Sequence, residues 1–318
     1  MASALSIGKV QVGWVGLGNM GKLMAINLAN ALNEQGAPKL KVWNRTKSKG
    51  EEVVNESKGS AESIKEVEEI GAKCKIIFSS LANDEVVKNV YEQLFDSVKK
   101  NKNSNVLFIE TSTVYPDLTT TLVKDAKAVN ANFVAALPFG QPPVAKTAQL
   151  AFAIGGEKES VELAKQYIVP HIGRMVFEFG EDPSKASTFK LIGNSIILST
   201  VEMMTESMTL AEKTGIGADR VLEWVEAFYP APSAINYATK IANLKFVASG
   251  GFDLQGGLKD ATHIARLGKE NDCQMHIVEQ AIKHLNTTID LNKGQENKDW
   301  AALSAAQRVQ SGLKPFEK

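Results

Sequence analysis

The sequence predicts an α/β fold in which a Rossmann-type doubly wound parallel sheet is followed by an all-α domain, the two being joined through a long helix. Short apolar runs alternate with amphipathic segments up to about residue 180, which is typical of parallel strands with crossover helices. The stretch 183–213 contains a single glycine and no internal proline, which predicts a long helix. Everything after it has helical periodicity broken by Gly, Pro and Asn. We therefore predict two domains, residues 1–180 and residues 181–318.

Each predicted strand is a short buried apolar run, and each predicted helix carries a pattern close to 3.6 residues. Asp84 and Pro116 suit the first turns of two of these helices. The predicted strands are 10–15, 40–43, 74–79, 106–109, 133–137, 150–154 and 174–179. The predicted helices are 20–32, 84–98, 116–129, 157–168, 183–213, 218–228, 233–246, 258–271, 275–291 and 300–310.

Composition and charge exclude several classes of function. Lys and Arg together number 36, as do Asp and Glu, so the formal net charge is zero and a general role in nucleic-acid binding is disfavoured. No apolar run approaches the roughly 20 residues of a membrane span, and the first ten residues lack a signal-peptide core. We expect a cytoplasmic protein without a membrane partner. Cys74 and Cys273 lie far apart and the four histidines lack ligand spacing, so neither a disulfide framework nor a metal site is predicted.

A glycine-rich turn, Gly16-Leu17-Gly18-Asn19-Met20-Gly21, connects the first predicted strand to the first predicted helix. In a dinucleotide fingerprint the first glycine permits the tight turn, the second lets the pyrophosphate approach the backbone, and the third allows close packing of helix on strand. The free N–H groups of the following helix also favour an anion. We assign to cofactor binding Gly16, Leu17, Gly18, Asn19 and Met20.

The end of the second predicted strand indicates which dinucleotide binds. An NAD site usually places Asp or Glu there to bind the ribose 2′-hydroxyl, but this chain has Asn44-Arg45-Thr46. Without a carboxylate to repel it, a 2′-phosphate can be bound by Arg45, Thr46 and Lys47, and a guanidinium suits phosphate geometry well. We predict NADP(H) as the cofactor. The alternative is that the basic residues are simply a solvated loop.

Five segments in order resemble the β-hydroxyacid dehydrogenases, which include 3-hydroxyisobutyrate dehydrogenase and the glyoxylate/succinic semialdehyde reductases. The first is the glycine signature in residues 15–28, and the second is Asn44-Arg45-Thr46. The others are Thr111-Ser112-Thr113, the Lys-x-x-x-Asn segment Lys190 to Asn194, and Phe252 followed by Lys259-Asp260. The resemblance therefore extends from the first strand to the C-terminal helices.

The resemblance implies a role for each matching residue. Hydride passes between NADPH and a carbonyl carbon, Lys190 exchanges the proton with the carbonyl oxygen, and Asn194 orients the substrate oxygen or the lysine. Lys190 and Asn194 also lie one helical turn apart, so both can face one small volume. Lys259 would contact the cofactor or the acidic end of the substrate, with Asp260 as its partner. Ser112 is assigned to the substrate; Thr113 and Leu81 are assigned to the cofactor.

The substrate segment departs from the family pattern Asp-Ala-Pro-Val-Ser-Gly-Gly. Phe139 stands at the Ser position, Gly140 at the first Gly and Gln141 at the second. Phe139 cannot donate a side-chain hydrogen bond, and the two prolines that follow Gln141 remove backbone N–H groups that bind a carboxylate in the family. We predict a larger or less acidic carbonyl substrate that contacts these three residues. The alternative is neutral drift in this loop, with carboxylate recognition moved to Lys259.

Two other functions are compatible with the sequence. NADPH-dependent imine reductases share the fold and domain order, but they commonly have Asp, Tyr or no proton donor where this chain has Lys190. A non-catalytic NADPH-binding interaction protein is the alternative of another class, and the retained Lys190, Asn194 and Lys259 argue against it. The expected partners are a small carbonyl substrate and further copies of the chain, as homodimer or homotetramer. Met203, Met204 and Met208 on the long helix are candidates for that contact; the alternative is that they simply fill the core.

Overall fold

The computed structural model describes residues 8, 10–247 and 252–317. It separates into two compact units, Met1–Lys190 and Leu191–Lys318. The division falls inside the helix Pro183–Lys213, so this one helix contributes residues to both units. All five segments that resemble the family lie within these ranges.

The first unit contains an eight-stranded sheet. The strands are β1 (Val12–Val15), β2 (Leu40–Trp43), β3 (Ala61–Ser63), β4 (Ile76–Ser79), β5 (Leu107–Glu110), β6 (Asn132–Phe139), β7 (Leu150–Gly156) and β8 (Gly173–Glu178). Their order in the sheet is β3-β2-β1-β4-β5-β6-β7-β8, and neighbouring strands are parallel except for β6 and β7, which are antiparallel. The order reverses between β1 and β4, the position where doubly wound sheets bind ligands at the carboxyl ends of their strands.

Seven helices connect these strands. The fourth shows why such segments are helical: Asn83 accepts a hydrogen bond from Val86 N at 2.9 Å, acids occupy its first turn and lysines its last. The helices are α1 (Asn19–Glu34), α2 (Lys47–Glu56), α3 (Val67–Lys73), α4 (Asp84–Lys100), α5 (Pro116–Ala128), α6 (Pro142–Lys146) and α7 (Lys158–Ile168).

The hydrophobic core of this unit lies on both faces of the sheet. Along β1, Val12 and Trp14 belong to one apolar cluster and Val15 to the other, as expected when side chains alternate across a strand. Trp14 stacks on Phe78 of β4 with ring centroids 5.0 Å apart. Burial on both faces explains why the strands are continuous apolar runs. The predicted fold class is confirmed.

Within the described residues of the second unit, the regular elements are helices, accompanied by two isolated antiparallel bridges, Val247 with Lys298 and Asp253 with Asp299. The helix Leu254–Glu270 begins four residues before the predicted start, because Asp253 caps it by accepting a hydrogen bond from Gly256 N at 2.7 Å. The elements that follow β8 are α8 (Pro183–Lys213), α9 (Ala218–Phe228), α10 (Pro232–Asn243), α11 (Leu254–Glu270), α12 (His276–Leu291), a 3-10 turn (Trp300–Leu303) and α13 (Ser304–Gln310). None of the helices in the described ranges has the length and apolarity to cross a membrane.

Candidate active site

The glycine turn has the backbone conformation that its sequence requires. Gly16 has φ of +94°, and a Cβ at this position would clash with the carbonyl oxygen of Ser80. A Cβ at Gly21 would clash in the same way with Gly16 O, so α1 packs directly on the turn. Gly16 N donates to Trp43 O at 2.9 Å, which fixes the turn beside the end of β2.

The turn leaves space for a phosphate group at the start of α1. Gly18 is the N-cap residue, and a Cβ built on it would meet nothing within 4 Å. The first turn of α1 contains no acidic residue. Since the first N–H groups of a helix have no partner within it and carry a partial positive charge, an anion is stabilised there. The residues present therefore fit a dinucleotide pyrophosphate.

Asn44 joins the glycine turn to the end of β2. Its Oδ1 accepts a hydrogen bond from Leu17 N at 2.9 Å, and its Nδ2 donates to Thr46 O at 3.2 Å. Arg45 and Thr46 are exposed beside it, where α2 begins with no acid in its first turn. The structure thus brings together Leu17, Asn44, Arg45 and Thr46, and places two polar side chains next to a helix N-terminus.

The loops that follow β4 and β5 are connected by side-chain hydrogen bonds. Leu81 N donates to Ser112 Oγ at 2.6 Å, while Ser112 N donates to Glu110 Oε1 at 2.5 Å. Leu81 also lies against Gly16, since a Cβ at Gly16 would approach Leu81 Cδ2. Ser112 is buried and Thr113 is partly exposed. The assignments of Ser112 to the substrate and of Leu81 and Thr113 to the cofactor stay predictions.

Glu110 is a polar residue of this region that the sequence analysis missed. It is the last residue of β5 and is 1% exposed. Burial raises the pKa of its carboxyl group to about 7, although hydrogen bonds from Ser112, Ser79 and Tyr91 lower it in part. The available signal was a single acid that ends an otherwise apolar run.

Lys190 lies at the carboxyl end of β6. Its Nζ donates to the carbonyl oxygen of Pro138 at 2.8 Å and lies 4.4 Å from the centroid of the Phe139 ring. Only 9% of the residue is exposed. The predicted proton donor and the predicted substrate segment are therefore in direct contact within the first unit.

An aromatic cluster extends from Phe139, the ring that lies against the ammonium group of Lys190. Phe139 meets Phe189 edge to face with centroids 5.8 Å apart. Phe189 also contacts Phe179 at 4.5 Å and Phe177 at 6.2 Å between centroids. Phe177 is 43% exposed, so part of this aromatic cluster faces solvent. Rings of this kind offer an apolar surface rather than hydrogen-bond donors.

The rest of the substrate segment is a tight turn followed by the short helix α6. Gly140 has φ of +136°, and a Cβ there would clash with Leu150. Gln141 precedes α6, whose first two residues are Pro142 and Pro143. Because proline has no N–H, the start of α6 has fewer free donors than an ordinary helix start. The segment therefore has little capacity to bind a carboxylate through its backbone.

A second polar cluster lies wholly within the second unit. Asn194 Nδ2 donates to Asp260 Oδ2 at 2.6 Å, and Lys259 Nζ lies 3.1 Å from Asp260 Oδ1. Asp260 is 0% exposed and Asn194 is 9% exposed. Asp260 thereby holds both predicted site residues, and the bond from Nδ2 fixes which way the Asn194 amide faces. Within the described residues, no group of three His, Cys, Asp or Glu side chains is arranged to bind a metal ion.

The strand order and the glycine turn define a dinucleotide-binding protein of the Rossmann class. Residues 11–180 match the family model described as the NAD binding domain of 6-phosphogluconate dehydrogenase. An oxidoreductase of Bacillus subtilis, YfjR, is 30% identical over 92% of this chain and 98% of its own length. The NADH-dependent oxidoreductase ucdB of Aspergillus ustus is 27% identical over 93% of this chain and 98% of its own length. The mitochondrial 3-hydroxyisobutyrate dehydrogenase of Drosophila melanogaster is 26% identical over 93% and 89%.

Solved structures show the same fold. A 3-hydroxyisobutyrate dehydrogenase of Salmonella typhimurium has a TM-score of 0.79 at 18% identity, covering 93% of this chain and 99% of that one. An imine reductase of a Pseudomonas species has a TM-score of 0.60 at 17% identity over 94% and 99%. A reductive aminase of Aspergillus terreus, in complex with NADPH and ethyl-5-oxohexanoate, has a TM-score of 0.59 at 17% identity, covering 92% of this chain and 98% of that one. The chain belongs to the β-hydroxyacid dehydrogenase family of NAD(P)-binding oxidoreductases.

Proposed function

We propose that the protein is an NADPH-dependent oxidoreductase that reduces an aldehyde or ketone to the alcohol, with Lys190 as the proton donor. The observation that carries the proposal is the position of Lys190, whose buried ammonium is held between Pro138 O and the ring of Phe139. When bound, the reduced nicotinamide supplies hydride for the carbonyl carbon. Lys190 Nζ gives a proton to the carbonyl oxygen, and in the reverse direction it takes one from the alcohol.

The family motifs assign Asn194 and Lys259 to the proposed machinery. Asn194 orients the substrate oxygen, and Asp260 holds its amide through the 2.6 Å bond to Nδ2, which leaves Oδ1 as the remaining acceptor. Lys259 binds the cofactor or a polar end of the substrate, with its ammonium next to Asp260. This ion pair restricts where the Lys259 side chain extends.

The surroundings of Lys190 favour a substrate with an apolar or aromatic group. The aromatic cluster supplies three rings around Phe189, and the prolines of α6 remove two backbone donors. A carboxylate brought to this surface would lose hydration without gaining enough hydrogen bonds. An apolar group would instead gain about 25 cal/mol for each Å² that it buries. We infer that small aldehyde acids are poorer substrates than apolar aldehydes or ketones.

The start of α2 supports NADPH over NADH. Arg45 and Thr46 are exposed there, no acid occupies the first turn, and Lys47 is the first residue of the helix. A 2′-phosphate at this place would meet a cation, a hydroxyl and a helix N-terminus together. NADH is the second candidate, since the Aspergillus ustus relative is NADH-dependent by name and matches 93% of this chain.

The test is oxidation of reduced nicotinamide, with NADPH and NADH in parallel, on small aldehyde acids, apolar aldehydes, ketones and cyclic imines. Wild type is compared with Lys190→Ala and with Lys185→Ala, an exposed lysine on the same helix. Removing a positioned general acid lowers rates by roughly 10²- to 10⁴-fold. We expect such a loss for aldehydes or ketones in Lys190→Ala only, with NADPH preferred.

Other outcomes of the same panel would overturn parts of the proposal. Imine turnover that survives Lys190→Ala would identify an imine reductase. Equal rates with both cofactors would remove the preference for NADPH. Tight NADPH binding without turnover of any compound would favour the non-catalytic alternative.

A further inference from the structure

We propose that Glu110 is a positioning residue of the cofactor site, and that its ionisation state sets the conformation of the two loops that carry Leu81 and Thr113. Glu110 ends β5, and its side chain lies beneath the loops that follow β4 and β5. These loops lie at the carboxyl edge of the sheet, next to the point where the strand order reverses. The expected effect on cofactor binding rests on the proposed function, whereas the expected effect on the two loops does not.

The carboxyl group connects three separate elements. Its Oε1 accepts from Ser112 N at 2.5 Å, and its Oε2 accepts from Ser79 Oγ at 2.9 Å. Ser79 Oγ is also 2.7 Å from Tyr91 OH, which brings α4 into the network. Ser112 Oγ in turn accepts from Leu81 N at 2.6 Å. A chain of hydrogen bonds therefore runs from Glu110 through Ser112 to Leu81, which lies against the glycine turn.

The number of donors favours the ionised carboxylate for this arrangement. An ionised carboxylate only accepts, and here it faces Ser79, Ser112 and Tyr91, each of which can donate. A protonated carboxyl group must itself donate from one oxygen, so one of these groups has to reorient. The hydrogen bond from Ser112 N is then weaker, because its acceptor is no longer charged. Ser112 is therefore held less firmly, and so is the hydrogen bond that Ser112 Oγ accepts from Leu81 N.

The ionisable groups around Glu110 can be named element by element. On its own sheet, Ser79 of β4 and Ala135 of β6 are its strand neighbours, and neither carries a charge. From α4, Tyr91 is ionisable, and burial raises its pKa well above the usual value, so it stays neutral near pH 7. Asp84, at the start of α4, accepts from Tyr115 N at 3.0 Å in the loop after β5. Burial raises the pKa of Glu110 to about 7, which puts its titration within the working range of pH.

The test measures the titration of Glu110 and its effect on both loops in the protein without cofactor. Isotope-labelled wild type is titrated by NMR between pH 5.5 and 8.5, following the Glu110 carboxyl carbon and the backbone amides of Leu81, Ser112 and Thr113. We expect the amide shifts to follow the carboxyl midpoint. In Glu110→Gln, a near-isosteric neutral variant, the amides should not titrate; in Glu92→Gln, an exposed glutamate on α4, they should titrate as in wild type.

Cofactor binding supplies the second readout. From pH 6 to pH 8 the NADPH affinity of wild type, measured by calorimetry, should rise about threefold to tenfold more than that of Glu110→Gln, in which only the 2′-phosphate of NADPH, with a second pKa of about 6, still titrates. Amide shifts that ignore the Glu110 midpoint would overturn the proposal, as would a carboxyl group that titrates at its ordinary value. Should neither NADPH nor NADH bind wild type at any pH, the proposed function fails, while the amide titration still decides the role of Glu110. If Glu110→Gln does not fold, the wild-type titration alone gives the answer.

Discussion

The Phe139 ring lies directly beside the Lys190 ammonium. Its centroid is 4.4 Å from Lys190 Nζ, and the backbone oxygen of the neighbouring Pro138 accepts the lysine hydrogen bond. The lysine was found in the sequence through its resemblance to the family motif. Its partner, Pro138 O, was not, because that contact depends on the three-dimensional packing of two elements that are 52 positions apart. Glu110 was missed for the same reason, since only the fold brings Ser79, Tyr91 and Ser112 around it.

We predict that the single substitution Phe139→Ser shifts substrate preference toward small aldehyde acids. The serine restores a hydroxyl donor and removes apolar surface, and differences of this kind change discrimination by roughly 10- to 200-fold. Relative to wild type, kcat/KM for an aldehyde acid should rise and that for an apolar aldehyde should fall. Phe139→Leu is the matched control, because it keeps the apolar surface without adding a donor. An unchanged ratio of the two substrates in Phe139→Ser would contradict the aromatic account of specificity.

Four elements that the sequence analysis did not predict show where local patterns carry too little information. In α2 only Gly50 and Val53 are buried, so its apolar pattern is weak. The edge strand β3 has three residues, of which one is buried. The helix α3 has seven residues, too few for a reliable period, and α6 begins with two prolines that resemble a loop. The longer elements, by contrast, were recovered because each buries a continuous apolar face.

A buried ion pair connects α8 with α12 and predicts how the free energy of unfolding depends on pH. His284 Nδ1 lies 2.7 Å from Glu202 Oε1, and neither side chain is more than 4% exposed. Burial alone lowers the pKa of His284, but the hydrogen bond and charge of Glu202 outweigh it, so the pKa is raised. A raised pKa in the folded state means that the stabilisation is complete below the unfolded pKa of about 6.5 and is lost as pH rises through the folded value.

We therefore expect His284→Gln to lower the free energy of unfolding by roughly 1–3 kcal/mol near pH 6, with a smaller difference near pH 9. The glutamine still donates to Glu202, so the variant removes the positive charge while leaving a hydrogen bond. The measurement is urea unfolding of wild type and variant across this pH range. His276→Gln, an exposed histidine at the start of α12, should show no such dependence. A difference that stays constant with pH would mean that His284 is neutral in the folded protein.

At the scale of the whole molecule, α8 presents an apolar stripe that a single copy leaves uncovered. Ile192, Ile196, Met203 and Leu210 are 47%, 61%, 49% and 65% exposed. Their spacing of four, seven and seven residues keeps them on one helix face. Of the three methionines considered from the sequence, only Met203 belongs to this stripe; Met204 and Met208 are 2% and 1% exposed and fill the core. Met204 and Met208 thus follow the alternative that these methionines fill the core, because adjacent helical positions face different directions.

We propose that a second copy of the chain covers this stripe, because a regularly spaced apolar helix face is complementary to itself in a two-fold dimer. Ile196→Glu combined with Leu210→Glu places two charges on it, which should shift wild-type oligomers to the mass of a single chain in size-exclusion chromatography with light scattering. Ile277→Glu, an equally exposed apolar residue at the start of α12, is the control and should leave the mass unchanged. A monomeric wild type, or a double variant that retains the wild-type mass with a native circular dichroism spectrum, would show that the stripe has another role. Loss of turnover together with dissociation would further indicate that the active site depends on the assembled state.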